Sequence, residues 1–532
     1  MDLKSLIEPI LNFLEPLDWF FILYFVFVNL TYIMLVVISL IFVKKQKRYS
    51  EVFNLTGLFK SDLYAPISIL APAYNEEMNI VSSIEALLQL QYPDFEVVVI
   101  NDGSTDDTLM KLIEHFELYS VPIPDHLELE HKPIKSVFKS ERYANLKVVD
   151  KVNGRKADAL NAGINISSKD LICSIDADSI LDPTALRKML KAFVEDENVI
   201  AAGGIVRIAN GCKVEDYIVK EVGLPKKYLG RIQSVEYLRS FLFGRIGWDY
   251  LKSLLIISGA FGVFDRKAVM RVGGYLHDTV GEDMELVVRL HRYFKTRNRT
   301  YSIRFLPEPV CWTEVPNEWP VLGRQRNRWQ RGLAETLWRH KGMLFNPKYG
   351  RLGFLAMPYF LFVELLGPIF EFVGFVYFFL TILAGNVNPV FTTLFLSSAI
   401  LLGMILSISA VICEEFTYRR YPSVKDVLIL TWYAFLENLG FRQIHTWWRF
   451  TGLVDFLKGD KEWGEMIRSG LESKKEDKNP KRKPSDMLKQ FKLAGYWSVL
   501  ILIPMLLVLL ILSLLIDLSL IPDLFNYLPD RS

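Results

Sequence analysis

The chain has 532 residues, with 62 Lys plus Arg against 60 Asp plus Glu and a net charge of +2. That balance leaves no global basic field and excludes a protein that works by neutralising nucleic-acid phosphates. With 51% hydrophobic residues, 23% charged ones and a mean hydropathy of +0.21, disorder is excluded too, and the apolar excess points to a membrane protein carrying a soluble domain.

The run Trp19 to Val43 is apolar for about 25 residues, long enough to cross a bilayer, and no small-residue cleavage site follows it. It reads as a retained signal anchor within a first unit, residues 1–48. Lys44, Lys45, Lys47 and Arg48 follow it, whereas Asp2, Glu8, Glu15 and Asp18 precede it, so the chain beyond is expected on the cytoplasmic side of the cell (plasma) membrane.

Residues 49–350 leave room for one large α/β domain. Pro66 to Ala71 is a short apolar run ending at Pro72, and Ile80, Ile84, Leu87 and Leu88 recur at helical spacing. Phe95 to Ile100 is a β-branched strand followed by Asn101-Asp102-Gly103-Ser104. Leu109, Leu112, Ile113 and Phe116 form another helical face, and Leu171 to Ile175 is a further buried strand. Parallel sheets bind ligands at the carboxyl ends of their strands, and these ends carry Tyr74-Asn75-Glu76, Asp102 and Asp176-Ala177-Asp178.

Taken singly, Asp102-Gly103-Ser104-Thr105-Asp106 reads equally well as a turn and helix cap, and Asp176-x-Asp178 as an acidic loop pair. Their joint placement after separate strands, with Gly281-Glu282-Asp283 about a hundred residues later, points to chemistry. Two carboxylates one residue apart can share a divalent cation with a diphosphate, and a distant third suits a general base. Cys173, Cys212, Cys311 and Cys413 lie far apart without zinc spacing and read as buried thiols, and the seven histidines lack metalloprotease spacing.

Residues 351–450 form an interfacial and transmembrane unit. Leu352 to Leu383 is too long for one untilted crossing and holds Pro358, Glu364, Pro368 and Glu371, so its first half is expected at the interface and its second half across the bilayer. Gly385 to Pro389 is a turn signal before a second crossing from Phe391 to Val411. Val427 to Phe450 interleaves Trp432, Phe435, Leu436, Leu439 and Trp447 with Glu437, Asn438, Arg442 and Arg449, and is expected as an amphipathic helix on the cytoplasmic surface. Residues 451–494 form a basic cytoplasmic segment. Residues 495–532 hold a last crossing, Tyr496 to Ile516, and an external acidic tail.

The succession Pro72-Ala73-Tyr74-Asn75-Glu76, Asn101-Asp102-Gly103-Ser104, Lys156-Ala157-Asp158-Ala159-Leu160-Asn161, Asp176-Ala177-Asp178, Gly281-Glu282-Asp283 and Gln325-Arg326-Asn327-Arg328-Trp329 resembles the inverting family 2 membrane glycosyltransferases. That family includes cellulose, hyaluronan and poly-N-acetylglucosamine synthases. The resemblance implies a nucleotide-diphospho-sugar transferase (GT-A-like) cytoplasmic domain beside an α-helical transmembrane domain. It implies that Tyr74, Glu76 and Asp102 hold uridine, Lys156 contacts the diphosphate, and Asp176 and Asp178 organise it with Mg or Mn. Asp283 is then the base, Gln325, Arg328 and Trp329 flank the acceptor sugar, and Gly259 lies in a small-residue stretch beside it.

The function so implied is processive polymerisation from a UDP-sugar into a β-linked extracellular polysaccharide, with inversion and export between the membrane helices, where accessory export subunits have a place. The partners are the donor, the growing polysaccharide and the bilayer, with no nucleic acid. Gly281 stands where cellulose synthases usually carry Thr, which argues against cellulose. A non-processive transferase acting on a lipid acceptor and, more remotely, a nucleotide-binding transporter or receptor are the alternatives. Three separated catalytic-type carboxylates weigh against the last.

Overall fold

The computed structural model of the chain describes residues 3–52, 64–176, 178–417, 421 and 423–460. The basic segment around Lys474, Trp463-Gly464 and the crossing expected from Tyr496 to Ile516 lie outside the described residues.

One mixed sheet of ten strands organises the soluble block. Its strands are β1 (Ile67–Ala73), β2 (Phe95–Asn101), β3 (Leu118–Val121), β4 (Ile134–Ser140), β5 (Leu146–Lys151), β6 (Leu171–Ile175), β7 (Ile180–Leu181), β8 (Val199–Ile208), β11 (Phe261–Asp265) and β12 (Ser302–Thr313), and a hairpin of β9 (Lys213–Glu215) and β10 (Ile218–Glu221) stands apart. The order is β3-β4-β5-β2-β1-β6-β11-β8-β12-β7. β5, β2, β1 and β6 run parallel, β11 runs antiparallel between β6 and β8, and β8 pairs in parallel with β12. This is a mixed α/β arrangement of the kind that the family resemblance implies. The central strands are buried on both faces, which is why they read as unbroken apolar runs rather than alternating ones.

Among the described residues, three segments are long and apolar enough to cross a membrane: Ile7–Val43, Leu352–Leu383 and Pro389–Glu415. The first lies largely within helix α1 (Asp18–Val52). The second is not uniform: π-helical turns occupy Leu352–Ala356 and Phe360–Leu365, and a helix from Gly367 to Leu383 follows, with Pro368 in its first turn, where a missing N–H costs nothing. Gly385 turns at φ 67°, and Asn388 caps the third segment by accepting from the N–H groups of Val390 and Phe391.

Four more helices bear on the site: α2 (Arg155–Ile166), α3 (Glu282–Thr296), α4 (Trp319–Arg339) and, within the stretch expected as one surface helix, α5 (Val424–Leu436) followed by α6 (Arg442–Lys458). Leu439 and Gly440 between α5 and α6 leave helical geometry, with φ 96° at Gly440. Its charged residues are not solvated. Arg442 pairs with Glu371 at 3.3 Å, Arg449 with Glu364 at 3.1 Å, and buried Glu437 with Arg239 and Ser407. The charges of this stretch thus meet protein partners, while Leu428, Trp432 and Trp447 stay exposed.

Candidate active site

Parallel register levels the strand ends. Ala73 pairs with Asn101 and Asn101 with Asp150, so Tyr74, Asp102 and Lys151 emerge side by side. The loop after β1 is stitched to the loop after β2. The Asn75 N–H donates to Ser104 Oγ at 3.0 Å, the Thr105 N–H to Asn75 Oδ1 at 2.8 Å, and the Glu76 N–H to Thr108 Oγ1 at 2.9 Å. Asn75 takes a left-handed φ of 55°, which its short polar side chain tolerates. Tyr74 stays 50% exposed, its ring presented for stacking.

Asp102 is placed otherwise. It is buried, and its carboxylate accepts from Lys151 Nζ at 2.6 Å and from the backbone N–H groups of Gly154 and Arg155 at 2.9 and 2.8 Å. It fixes the loop that opens α2 from below. Lys151, fully buried, bridges Asp102 and Asp158 at 2.6 and 2.5 Å. Sequence reasoning missed Lys151, although a lysine ending an apolar strand is a signal in itself, because a buried ammonium requires paired carboxylates. Beside this triad opens a cavity of about 630 Å³ whose walls include Lys132, Asn153, Gly154, Arg155, Asp158 and His277. Apart from Asp158, which lies in its motif, these walls were also missed.

A cluster of charged side chains forms where β6 and β11 meet. Phe261 pairs antiparallel with Ile175, which brings Gly259 beside Asp176. Lys156, in the first turn of α2, donates to Asp176 Oδ1 at 2.5 Å and to the Gly259 carbonyl at 2.8 Å, with Glu282 at 3.9 Å. Burial disfavours its charge, but Asp176, Glu282 and Asp283 outweigh burial and hold the ammonium above its ordinary value. A Cβ on Gly259 would lie 3.2 Å from Asp283 Oδ2 and 3.3 Å from Lys156 Nζ, so glycine here leaves the room in which carboxylate and ammonium meet.

Glu282 and Asp283 occupy the first turn of α3. Burial, partly offset by Lys156, pushes the Glu282 carboxyl up to about 7. Its neighbour Gly281 abuts Gly332 of α4. A Cβ on Gly281 would fall 2.8 Å from the Gly332 Cα, so α3 and α4 touch backbone to backbone. Glu335 clamps the same joint, accepting from Thr279 Oγ1 at 2.7 Å and the Val280 N–H at 2.9 Å.

That contact brings α4 to the carboxylates. Arg328 lies within the field of Glu282, Asp176 and Asp283; burial lowers its guanidinium below the usual value, yet it remains a cation. Trp329 is 45% exposed, with the Arg326 guanidinium 4.1 Å from its ring centre. Arg326 is buried, held by Gln325 at 3.0 Å and Glu236 at 2.7 Å. The structure therefore gathers Lys156, Asp176, Gly259, Asp283 and Arg328 at one point, while Tyr74, Glu76 and Asp102 form the strand-end ledge. Arg245, half-buried at the end of a π-helical stretch and held near 10 by desolvation against the pull of Asp283, is a neighbour that no motif signalled.

Among the described residues, no group of three or more His, Cys, Asp or Glu side chains assembles a complete metal cage. Asp176 and Asp178 are hard oxygen donors of the kind that bind Mg or Mn when phosphate oxygens complete the shell. The residues present fit a divalent cation that arrives with a diphosphate.

Comparison with known proteins gives the same frame. Two family models match, glycosyl transferase family 2 over residues 68–273 and glycosyl transferase family group 2 over residues 171–407. The poly-beta-1,6-N-acetyl-D-glucosamine synthase of Staphylococcus epidermidis is 29% identical over 290 residues, 54% of this chain and 60% of that protein. The probable glycosyltransferase YdaM of Bacillus subtilis is 28% identical over 306 residues, 56% of this chain and 63% of that protein. The chain thus spans less than two thirds of the length of these relatives. Among solved structures, the mannosyltransferase PcManGT from Pyrobaculum calidifontis, in complex with GDP-Man and Mn2+, is 16% identical with a TM-score of 0.45, covering 83% of this chain and 100% of that one. Together the two family models run from the first strand through the Gln325–Trp329 helix into the apolar segments beyond it, and over those residues the chain is similar to glycosyltransferase family 2.

Proposed function

We propose that this chain polymerises sugar from a UDP-sugar into a β-linked extracellular polysaccharide, processively and with inversion, and passes the product out between its membrane helices. The observation that carries this reading is the meeting of Lys156 and Asp283 at Gly259, directly under the helix that bears Arg328 and Trp329. Positive charge after the first apolar helix supports a cytoplasmic site in a multi-pass protein of the plasma membrane.

In this reading the nucleotide lies along the strand-end ledge. Tyr74 stacks on uracil, Glu76 lines its edge, and Asp102 holds the 153–155 loop that walls the cavity. Asp283 takes the proton of the acceptor hydroxyl as its oxygen attacks the anomeric carbon from the face opposite the diphosphate. The new C–O bond forms as the bond to UDP breaks, which converts an α donor into a β product. Lys156 and Arg328 bear the charge that develops on the leaving diphosphate. A cation held by Asp176 and Asp178 would neutralise the same charge. Gln325 and Trp329 hold the acceptor sugar, an aromatic face matching its C–H face.

The first donor to test is UDP-N-acetylglucosamine, since the synthase of S. epidermidis carries that sugar in its product's name. Purified full-length protein in liposomes would be incubated with a panel of UDP-sugars, with and without Mg or Mn, and UDP release and products measured. A polymer from one donor, dependent on metal, is expected. A single-sugar lipid product from every active donor would overturn the polymerising reading and leave a lipid-directed transferase.

A further inference from the structure

Trp329 is exposed, and the next residue is turned inward. Gln330 is buried, and its side-chain amide donates to the carbonyls of Glu364 and Leu365 at 3.2 and 3.1 Å. These carbonyls end the π-helical turn before the helix that starts at Gly367. Arg449 of α6 locks the joint. Its Nε donates to Gln330 Oε1 at 2.9 Å, and its Nη2 donates to both the carbonyl and the carboxylate of Glu364. The other Glu364 oxygen accepts from Tyr32 of α1 at 2.9 Å and from Tyr359 at 3.0 Å. One turn away, Asn327 Nδ2 donates to Asp455 Oδ2 of α6 at 2.7 Å. Four elements from distant parts of the chain therefore close on the residue behind Trp329.

We propose that Arg449 is a positioning residue for the acceptor helix: through Gln330 and Glu364 it fixes the height of Trp329 against the membrane-entering segment. The inference rests on the polymerising reading above. A guanidinium suits the task because its planar fork serves the amide oxygen, the carbonyl and the carboxylate at once, which an ammonium cannot do with the same geometry. The donor ledge takes no part in this joint. Loosening it should leave donor capture intact and spoil the return of the extended chain to Trp329, so that chains end early.

The test compares wild type, Arg449→Met, Arg449→Lys and Gln330→Met as full-length protein in liposomes, reading initial UDP release, donor KM and product length under donor excess. Arg449→Met should shorten the mean product about fivefold or more while initial UDP release and donor KM stay within about twofold. Arg449→Lys should restore part of the length. Gln330→Met, which removes no charge and keeps volume, should shorten product as Arg449→Met does, and the double variant should be no worse than the poorer single one. Unchanged length in both single variants, or length and UDP release falling by one common factor, would overturn the inference. Failure of wild type itself to make polymer would instead refute the polymerising reading, and the inference with it.

Discussion

The proposed donor ledge and the proposed acceptor face are built by different means. The ledge stands on parallel strand register and on backbone hydrogen bonds between neighbouring loops, with Asp102 and Lys151 buried beneath it. The acceptor face stands on helix packing: α3 touches α4 at a pair of glycines, and α4 is held from behind by α6 and the membrane-entering segment. A ledge made within one sheet is fixed by the soluble fold, whereas the acceptor face is set by where the membrane helices sit. Binding of donor and elongation of product should therefore be separable by mutation.

The deepest separation is expected at the base. Asp283→Asn should lower transfer by about 10²- to 10⁴-fold, since its proton transfer occurs only in the transition state, while UDP affinity measured by calorimetry stays near that of wild type. Near wild-type turnover would refute the assignment. On the donor side, Asp178→Ala should weaken UDP binding about tenfold or more in Mg or Mn and leave metal-free binding unchanged. Equal losses with and without metal would count against a shared cation.

Gly281→Ala sharpens the comparison from the acceptor side. Its Cβ would collide with Gly332, so α4 must move, at a cost of about 1–3 kcal/mol in stability and with loss of polymer length. UDP titration should report the same affinity as wild type, and a parallel fall in affinity would show the two regions to be one unit. The smallest effect concerns pH. Glu282 titrates near 7 when folded, above its ordinary 4.5, so the folded state binds this proton more tightly than the unfolded chain. The stability it lends is complete below about 4.5 and is lost as pH rises through about 7. Relative to Glu282→Gln, wild-type thermal midpoints should fall by on the order of a few degrees across that window, and parallel curves would refute the raised titration.

The ledge was legible in the sequence because β1, β2 and β6 are apolar runs that each end in a polar motif, so position along the chain and position in the fold coincide. Gln325, Arg328 and Trp329 were legible as a motif, but the approach of Arg328 to Asp283 was not, since it depends on Gly281 and Gly332, two small residues distant in sequence. Lys151 and Arg245 escaped because a lone basic residue reveals its partners only once strands and helices are packed. The charges of Val427 to Phe450 misled in the opposite direction. Arg442 and Arg449 lie on the helix expected at the surface, and the structure pairs them, half-buried, with Glu371 and Glu364.

The central claim is that one site both captures the donor and keeps the growing chain against Trp329 for the next addition. Product length followed over time, with donor in large excess over enzyme, tests it most directly. Long chains appearing early, while most acceptor remains unextended, are the result expected of a site that retains its product. A population that lengthens uniformly by one sugar at a time, or stops at a single transfer, would contradict it.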